Sequence, residues 1–561
     1  MMMNNLKNIF KRTGRFNLFK IPFFIFLMGV ALSVFPKNVF ANNLLVDNFE
    51  VYELDEAANT ITFQCDISWE NSWRSVTNYD AVWVFLKYST DGGATWAHAS
   101  MAGSGSNPNG FYTPSTFEIV VPQDEKGFFI QRADLGNGNV TAEGVRFVWD
   151  YAQDGLSDEE SMAANTINKI FGIEVVYVPQ GPFYAGDGNS SSNYHFKEGS
   201  SDTDPWYIRS ESAFSTTGAS SDGFYYTSSG SSGEASSGSV FLVPTSYPKG
   251  YKAFYQMKYE LTEGQWVAFF NTLSPEEKMN RDITSSVEGG KGSDAVVNRN
   301  TVVWDSSSPK LAAETTRPDR PMTYISWPDI AAYADWAALR PMTELEYEKS
   351  ARGLDVSPKE DEFAWGTVSY NDALATEIYP DADEDGTEQI YDGSANLNRN
   401  NLSWSSGDGR AGGIAEGQKG PLRAGIFAES STNRTTSGSG YYGAKELSGN
   451  LSEMVVSIGR SEGRQFLGSH GDGDLSEIVG YEGNATNTDW PGINGTDSAR
   501  GVTGTVGSGY RGGDFNAANV RYFQLSDRSF AAKDADSLGQ NQRYDASFGV
   551  FGGGRLVRTA P

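Results

Sequence analysis

Three short stretches of this chain begin with the same helix-start pattern, and that pattern limits what the chain can fold into. In each, a serine or threonine is followed three residues later by Gln, Asp or Glu: Thr262 and Gln265, Ser326 and Asp329, Thr343 and Glu346. The hydroxyl can accept a hydrogen bond from a backbone N–H of the first turn, and the later side chain can reach back to the cap. The pattern predicts short, separately capped helices. Because 62 of the 561 residues are glycine and other helical stretches are few, we expect a mostly β and irregular chain.

The third of these stretches, "RPMTELEYEKSARG" at 340–353, packs three glutamates into five positions. Carboxylates this close can form an acid/base pair, hold a metal or begin a helix. We expect Glu346 to complete the capping box and Glu344 to lie where the helix dipole favours an anion. Glu348 is expected to pair with Arg352 four residues later. An acid/base role is the alternative.

The first 41 residues are predicted to form a secretory signal peptide. A basic start that includes Lys11 and Arg12 precedes an apolar run at 21–35, and Ala41 ends a small-residue cleavage pattern. The run is short for a membrane span, and an uncleaved anchor is the alternative. We therefore expect a secreted, cell-surface or periplasmic protein that is not an integral membrane protein after cleavage. A formal net charge of −27 argues against nucleic acid as a partner.

Residues 42–155 alternate between β-branched or aromatic runs and Gly, Asn or Asp turns, as in "TITFQCDISW" and "AVWVFLKYST". This spacing predicts an immunoglobulin-like β-sandwich, followed by a linker at 156–172. The turn "STDGGATW" at 89–96 predicts a tight hairpin held by Asp91. The sole cysteine, Cys65, lies in an alternating run. We expect it to be a buried strand thiol, and a free reactive thiol is the alternative.

From residue 173 to 561 the chain carries a series of motifs, interrupted by a Ser/Gly-rich insertion at about 189–239 and a polar insertion at about 280–316. The Ser/Gly-rich composition predicts a long loop that buries little apolar area. In order, the motifs are "VVYVPQGPFYAGDG", "FYQMKYELTEGQWVAFFN", "RPMTYISWPDIAAYADWAALRPMTELEYEKSARG", "FAWGT", "GAKELSGNLSEMVV", "GYRGGDF" and "FGGGRLVR". This series resembles the sulfatase-modifying factor family, the formylglycine-generating enzymes. The resemblance implies a C-type-lectin-related α+β domain over 173–561 with little regular secondary structure.

The resemblance also implies a chemistry for which this chain lacks the residues. Enzymes of the family oxidise a cysteine of a sulfatase to formylglycine, using copper held by two cysteine thiolates shortly before the final arginine motif. Here the stretch 516–551 contains neither cysteine nor methionine, and soft Cu(I) requires sulfur ligands. We therefore expect no copper, no catalytic residue and no formylglycine generation. A related branch, the iron-dependent sulfoxide synthases, uses a histidine cluster, whereas His98, His195 and His470 are scattered along this sequence.

Calcium is the cofactor that the sequence favours. The loop "DADEDGTEQIYD" at 381–392 has the D-x-D-x-D-G spacing of a calcium loop, and an exposed acidic loop without an ion is the alternative. Its predicted ligands are Asp381, Asp383, Asp385, Thr387 and Asp392. The family resemblance implies two further calcium positions: Asn450, Leu451 and Glu453, and separately Asn396, Leu397 and Asp408. For Asn450 the alternative is a turn residue in the left-handed backbone conformation.

The expected function is that of an exported, non-catalytic module that binds a glycan, a peptide or another cell-surface protein. The candidate ligand-binding residues are Asp514, Asn516, Arg521, Tyr522, Gln524, Asp527, Arg528 and Tyr544. Such a mixture suits a polar ligand, although Arg521 and Arg528 can instead hold loops together through carboxylate pairs. The alternatives are an enzyme of the family with altered, non-copper chemistry, and a structural component of a cell-surface layer or secretion apparatus.

Overall fold

The structure is a computed structural model in which residues 39–561 fall into one compact unit. The described residues are 43–189, 194–198, 204–217, 224–225, 241–286, 290–373, 378–379, 388–390, 393–399, 420–429, 432–533 and 552–561. The predicted signal peptide at 1–41 lies outside them. In these segments, no helix is both long enough and apolar enough to cross a membrane.

The first part of the chain is almost entirely strand. Its strands are β1 Leu45–Asp55, β2 Thr60–Arg74, β3 Asp80–Ser89, β4 Ala97–His98, β5 Gly105–Ser106, β6 Phe117–Val121, β7 Phe128–Arg132 and β8 Gly136–Asp150. β1, β2 and β8 form an antiparallel sheet, which packs on β3, β6 and β7 over a core that includes Cys65, Trp69 and Trp149. Cys65 is fully buried, as expected. Asp91 accepts the Ala94 and Thr95 backbone N–H groups of the predicted hairpin.

The later strands are mostly short. They are β9 Ile167–Val178, β10 Phe183–Ala185, β11 Lys197–Glu198, β12 Trp206–Ile208, β13 Phe214–Ser215, β14 Phe224–Tyr225, β15 Leu242–Val243, β16 Phe254–Met257, β17 Arg340–Pro341, β18 Ile378–Tyr379, β19 Gln389–Ile390, β20 Ser452–Val456, β21 Ser508–Arg511, β22 Gly552–Gly553 and β23 Leu556–Thr559. Long irregular segments connect them, so the expectation of a mostly β and irregular chain is confirmed for the described residues.

One nine-stranded sheet joins the beginning of the chain to its end. Its order is β17-β23-β16-β9-β3-β7-β6-β5, with β4 beside β3. β9 pairs with β3 from Asp80–Val176 to Ser89–Ile167, along the whole length of β3. The boundary predicted at residue 172 therefore falls inside a strand, because the run 167–178 continues without a turn. An immunoglobulin-like sandwich remains a prediction, since one of its two layers is part of this larger sheet.

Five α-helices are described: α1 Asp158–Ser161, α2 Glu263–Phe270, α3 Pro275–Arg281, α4 Trp327–Trp336 and α5 Glu344–Arg352. The three predicted capping boxes, at the starts of α2, α4 and α5, are confirmed. α1 and α3 also start with capping boxes, Ser157 with Glu160 and Ser274 with Glu277. Both follow the same spacing rule but were not among the predicted helix starts.

The main apolar core lies between the nine-stranded sheet and helices α2 and α4. Trp83 of β3 donates its indole N–H to the carbonyl of Ala337 at 2.9 Å, so the first strands and the later helices share this core. The Ser/Gly-rich insertion contributes to it as well: Phe196 and Trp206 are buried with ring centroids 4.2 Å apart. The expectation that this insertion buries little apolar area is wrong for its described parts, because Phe196 and Trp206 lie in the core.

Candidate ligand-binding site

Helix α5 is rich in charge, yet every one of its residues is buried. Glu344 accepts bonds from Arg528 at 2.8 and 3.0 Å and from Arg511 at 3.2 Å, and Glu348 accepts one from Arg511 at 2.7 Å. The predicted pair of Glu348 with Arg352 is present at 2.9 Å. Burial raises the pKa of Glu348, but the charges of Arg511 and Arg352 outweigh it and hold the pKa below its usual value. Carboxylates engaged in this way are poor proton acceptors, so α5 is a structural element.

Glu346 is held in the same manner at the start of α5. Its carboxylate accepts the backbone N–H of Thr343 at 3.0 Å and two bonds from Arg340, at 2.6 and 2.9 Å. The Thr343 hydroxyl accepts the Glu346 backbone N–H at 3.2 Å. The glutamate-rich stretch is therefore a capped helix start, as expected.

Three of the predicted ligand-binding residues, Asp514, Asp527 and Arg528, are buried. Arg528 pairs with Glu344 at 2.8 Å, and Arg521 lies 3.2 Å from Asp527. Asp514 accepts a backbone N–H at 2.8 Å, and burial raises its pKa to about 6. Both arginines thus pair with carboxylates, as the alternative interpretation describes, and ligand binding at these residues remains a prediction.

Four of the other predicted ligand-binding residues are accessible to solvent. Asn516, Arg521, Tyr522 and Gln524 are each at least partly exposed. Tyr522 packs edge-on against Phe530, with ring centroids 4.8 Å apart. Tyr544 lies outside the described residues, and so do six predicted calcium ligands: Asp381, Asp383, Asp385, Thr387, Asp392 and Asp408.

Asn396 and Leu397, the described part of one predicted calcium position, already have protein partners. The Asn396 side chain accepts the backbone N–H of Asn371 and donates to the carbonyl of Thr435, both at 2.9 Å. The Leu397 carbonyl accepts the backbone N–H of Ala373 at 2.8 Å. Calcium here remains a prediction.

Asn450, from the other predicted calcium position, has a φ of 66°, the left-handed turn conformation that the alternative predicted. Its side-chain oxygen accepts the Leu422 backbone N–H at 2.8 Å and an Asn398 amide N–H at 3.0 Å. Its amide nitrogen donates to Glu260 at 2.7 Å. The oxygen predicted to bind calcium is therefore already bonded twice within the protein.

Three buried glutamates, Glu260, Glu446 and Glu453, lie around this turn. Arg555 binds Glu453 at 2.8 Å, while one oxygen of Glu446 and one of Glu453 have no hydrogen-bond partner. Burial and the neighbouring Glu453 charge raise the pKa of Glu260, and burial raises that of Glu446 to about 7. Unpartnered carboxylate oxygens fit a hard cation such as calcium. Arg555 satisfies the other oxygen of Glu453, and protein bonds satisfy the Asn450 side chain.

A cavity of about 370 Å³ opens between the end of β2 and the loop 428–445. Its lining includes Asn71, Trp73, Asn78, Lys258, Tyr441 and Lys445. This site was not predicted from the sequence, since its residues come from distant segments: Asn78 donates to the carbonyl of Tyr442, 364 residues away, at 3.3 Å. We find no local signal that could have predicted it.

The two lysines of the cavity differ in their partners. Lys258 pairs with Asp80 at 3.2 Å and Glu174 at 3.0 Å. Burial lowers its pKa, but these carboxylates outweigh burial and raise it above the usual value. Lys445 donates to the Ser439 hydroxyl at 2.6 Å, and no carboxylate of the described residues lies within ion-pair distance of it. Burial and repulsion from Lys258 lower its pKa to about 8, and the charge of Glu446 opposes this only in part, so at neutral pH it is mostly a cation.

Aromatic side chains supply the apolar part of the lining. Trp73 is partly exposed and Tyr441 is 46% exposed. The guanidinium of Arg434 lies 5.2 Å from the Tyr441 ring centroid and donates to the carbonyls of Ala351 and Ala364 at 2.7 and 2.8 Å. The cavity therefore combines ring faces, amides, the Lys445 ammonium and one carboxylate, that of Glu429.

The segment 223–537 matches the family model described as "Sulfatase-modifying factor enzyme 1-like domain", which covers more than half of the 561 residues. The chain belongs to this family. A formylglycine-generating enzyme of Thermomonospora curvata is 39% identical over 64 residues, which are 11% of this chain and 20% of that enzyme. One of Streptomyces coelicolor is 44% identical over 52 residues, 9% of this chain and 16% of the enzyme. The chain thus spans a fifth or less of the length of these curated relatives.

The cavity is built only partly from the sulfatase-modifying factor domain. Lys258 and the loop 428–445 lie within the matched segment, whereas Asn71, Trp73 and Asn78 precede it. The sole cysteine, Cys65, also precedes it, in β2. Burial and the charge of Asp66 raise the pKa of this thiol to about 12. A thiol in such a setting stays protonated, and a protonated thiol is a poor metal ligand.

Proposed function

We propose that this chain is a non-catalytic member of the sulfatase-modifying factor family that binds an acidic oligosaccharide. One observation carries the proposal: the cavity between β2 and the loop 428–445 presents aromatic rings, amides and the unpaired cation of Lys445 together. Its volume of about 370 Å³ falls within the range of small-ligand pockets.

A sugar matches the neutral part of this lining. Sugar rings have apolar C–H faces and a rim of hydroxyl groups. Trp73 and Tyr441 can cover such a face, because aromatic side chains offer large, rigid contact area. Asn71, Asn78 and Asn433 provide both donors and acceptors for the hydroxyl groups.

Lys445 is the reason for proposing an acidic sugar. A carboxylate on the ligand would give its ammonium the ion pair that the described protein residues do not provide. The chain as a whole carries a net charge of −27, which repels anions at a distance. Binding of an anion therefore has to depend on a local cation.

The non-catalytic part of the proposal is supported by the sequence. The chain contains one cysteine, and copper–thiolate chemistry of the kind expected for the family uses two. The position of Cys65 in a buried strand supports the same conclusion. Conversion of a sulfatase-type cysteine peptide to an aldehyde by the purified protein would contradict it.

Export and calcium binding complete the proposal. Export is supported by the basic start and the apolar run of the predicted signal peptide at 1–41. Calcium at the Asn450 turn is supported by the unpartnered carboxylate oxygens of Glu446 and Glu453.

The binding proposal is tested by calorimetry with oligogalacturonate and with its methyl ester, which has the same sugar rings without the charge. We expect the wild type to prefer the acid. Lys445→Gln should weaken binding of the acid about tenfold or more, because a hydrogen bond to a charged group contributes about 1.5–3 kcal/mol, and should leave binding of the ester unchanged. Tyr441→Ala should weaken binding of both.

Matched controls separate this site from general effects. Tyr52 is 48% exposed and lies under the guanidinium of Arg146, much as Tyr441 lies near Arg434. Tyr52→Ala and the exposed-lysine variant Lys310→Gln should bind like the wild type. Equal binding of acid and ester, or equal losses in the control variants, would overturn the proposal.

A further inference from the structure

Three side chains with metal-ligand chemistry meet at the start of the Ser/Gly-rich insertion. Asp187 follows β10, His195 precedes β11, and Asp361 lies in a turn after α5. Each offers one ligand atom, and these atoms all lie within 4.8 Å of one another. In the described part of the chain, no other set of three His, Cys, Asp or Glu side chains comes together in this way. Asp187 and His195 precede the segment that matches the family, and Asp361 alone lies within it.

Backbone and side-chain bonds hold the three residues in place. Asp187 lies 2.6 Å from the Nδ1 atom of His195 and accepts the backbone N–H of Asp361 at 2.8 Å. Asn189 bridges the two carboxylates: its backbone N–H donates to Asp187 at 3.0 Å and its side-chain amide to Asp361 at 2.8 Å. The ligand atoms are therefore positioned before any ion arrives.

A second observation points to a missing ligand. His195 is 5% exposed, and its Nε2 atom has no hydrogen-bond partner. Buried polar atoms in native proteins are nearly always partnered, and an exception requires an explanation such as an ion. Asp527, also buried, lies close enough to His195 for the histidine to act on its pKa.

We propose that Asp187, His195 and Asp361 bind one divalent first-row metal ion, with Zn²⁺ preferred. An imidazole nitrogen among carboxylate oxygens suits zinc and its neighbours, whereas calcium prefers oxygen ligands alone and Cu(I) prefers sulfur. An ion shared by Asp187 and His195 would replace the proton of their 2.6 Å contact, so binding should release a proton. The site shares no residue with the proposed sugar cavity and does not depend on it.

The ion would fix the start of the insertion to the C-terminal segment. The carbonyl of Tyr194 accepts the backbone N–H of Arg528 at 2.9 Å, and the guanidinium of Arg521 lies 4.1 Å from the Tyr194 ring centroid. A metal bound to His195, the next residue, would strengthen these contacts. Backbone amides at 194–198 should therefore exchange more slowly with solvent when the ion is bound.

The experiment uses the full chain, stripped with a chelator and titrated separately with Zn²⁺ and with Ca²⁺. We expect one Zn²⁺ per chain, a higher Tm with Zn²⁺ than without it, and at least tenfold weaker binding of Ca²⁺ at this site. His195→Asn keeps an N–H donor near the position of Nδ1 but removes the imidazole. His195→Asn and Asp361→Asn should each weaken Zn²⁺ binding at least tenfold and abolish the Tm shift.

Matched controls are His470→Gln and the exposed-carboxylate variant Asp134→Asn, which should bind Zn²⁺ like the wild type. Equal Tm values of His195→Asn and the wild type in chelator would show that the variant folds. If His195→Asn does not fold, the visible absorption of bound Co²⁺ is compared between the wild type and Asp361→Asn. The wild type should show the d–d bands of a nitrogen–oxygen site, and Asp361→Asn should lack them. Absence of Zn²⁺ binding, or Zn²⁺ binding unaffected by both substitutions, would overturn the proposal.

Discussion

Lys87 shows at the level of one residue how tightly the two parts of the chain are packed. It lies on β3 with no exposed surface, and its Nζ atom has no hydrogen-bond partner. The Trp336 ring of α4 lies 5.4 Å from it. Burial lowers its pKa to about 7, and the charges of Asp335 and Asp474 oppose this only in part. Folding therefore disfavours the charged form of this lysine.

This lysine makes stability depend on pH. In the unfolded chain it keeps its proton up to about pH 10.5, whereas in the folded protein it loses the proton near pH 7. Between these values the unfolded state binds more protons, so the contribution of Lys87 to the free energy of unfolding rises with pH. Lys87→Met removes the buried charge and its titration. The free energy of unfolding of the variant should exceed that of the wild type most at about pH 6. This difference, the stability gap, should narrow by about pH 10, because each unit by which folding lowers the lysine pKa corresponds to about 1.4 kcal/mol.

Urea unfolding of both proteins at the two pH values measures the gap. The exposed-lysine variant Lys310→Met is the control and should show no pH-dependent gap. A gap between Lys87→Met and the wild type that stays constant with pH would contradict the account of Lys87.

Among the secondary-structure elements, α5 is the one whose stability depends most visibly on partners far away in sequence. Its glutamates meet arginines 163 to 184 residues later in the chain. Removing one member of a buried ion pair leaves the other charge buried without its partner. Glu344→Gln should therefore leave Arg511 and Arg528 undercompensated.

We expect Glu344→Gln to lower the free energy of unfolding by about 3–5 kcal/mol. The matched control is Asp497→Asn, which breaks a pair with Arg500 at 3.5 Å between largely exposed side chains. Its cost should stay below about 1 kcal/mol, because water screens exposed pairs. Chemical denaturation measures both, and equal losses in the two variants would refute this description of α5.

The same helix shows what a sequence can predict. Thr343 and Glu346 are three residues apart, so the capping box is encoded locally and was predicted, as was the pair of Glu348 with Arg352. The bonds of Glu344 and Glu348 to Arg511 and Arg528 were not predicted, because no local pattern specifies a partner so far away. The cavity is hidden for the same reason, since folding alone brings Asn78 to Tyr442.

At the scale of the whole molecule, the strands before residue 160 do not form a separate domain, because they share a sheet and an apolar core with the later elements. β3 is hydrogen-bonded to β9 along its full length, and Trp83 and Phe85 of β3 lie in the same apolar core as Trp336. The family match begins only at residue 223, so the sequence comparison covers part of a larger folded unit. The sugar cavity exists only because both parts contribute to it.

Proteolytic cleavage between the two parts of the chain tests whether they share one sheet and one core. A protease site inserted in the turn at 152–156, which connects β8 to α1, should be cleaved without separating the fragments. They should elute together in size-exclusion chromatography, because the shared sheet and core hold them. Separation in denaturant serves as the control that cleavage is complete. Two folded fragments that elute apart in buffer would contradict a shared core.

The central claim is that an acidic sugar occupies the cavity between β2 and the loop 428–445. A crystal structure of the protein soaked with oligogalacturonate tests this most directly. The account predicts a sugar ring against Trp73 or Tyr441, with a carboxylate within hydrogen-bond distance of Lys445 Nζ. An empty cavity at a saturating ligand concentration, or sugar bound only elsewhere, would contradict the account.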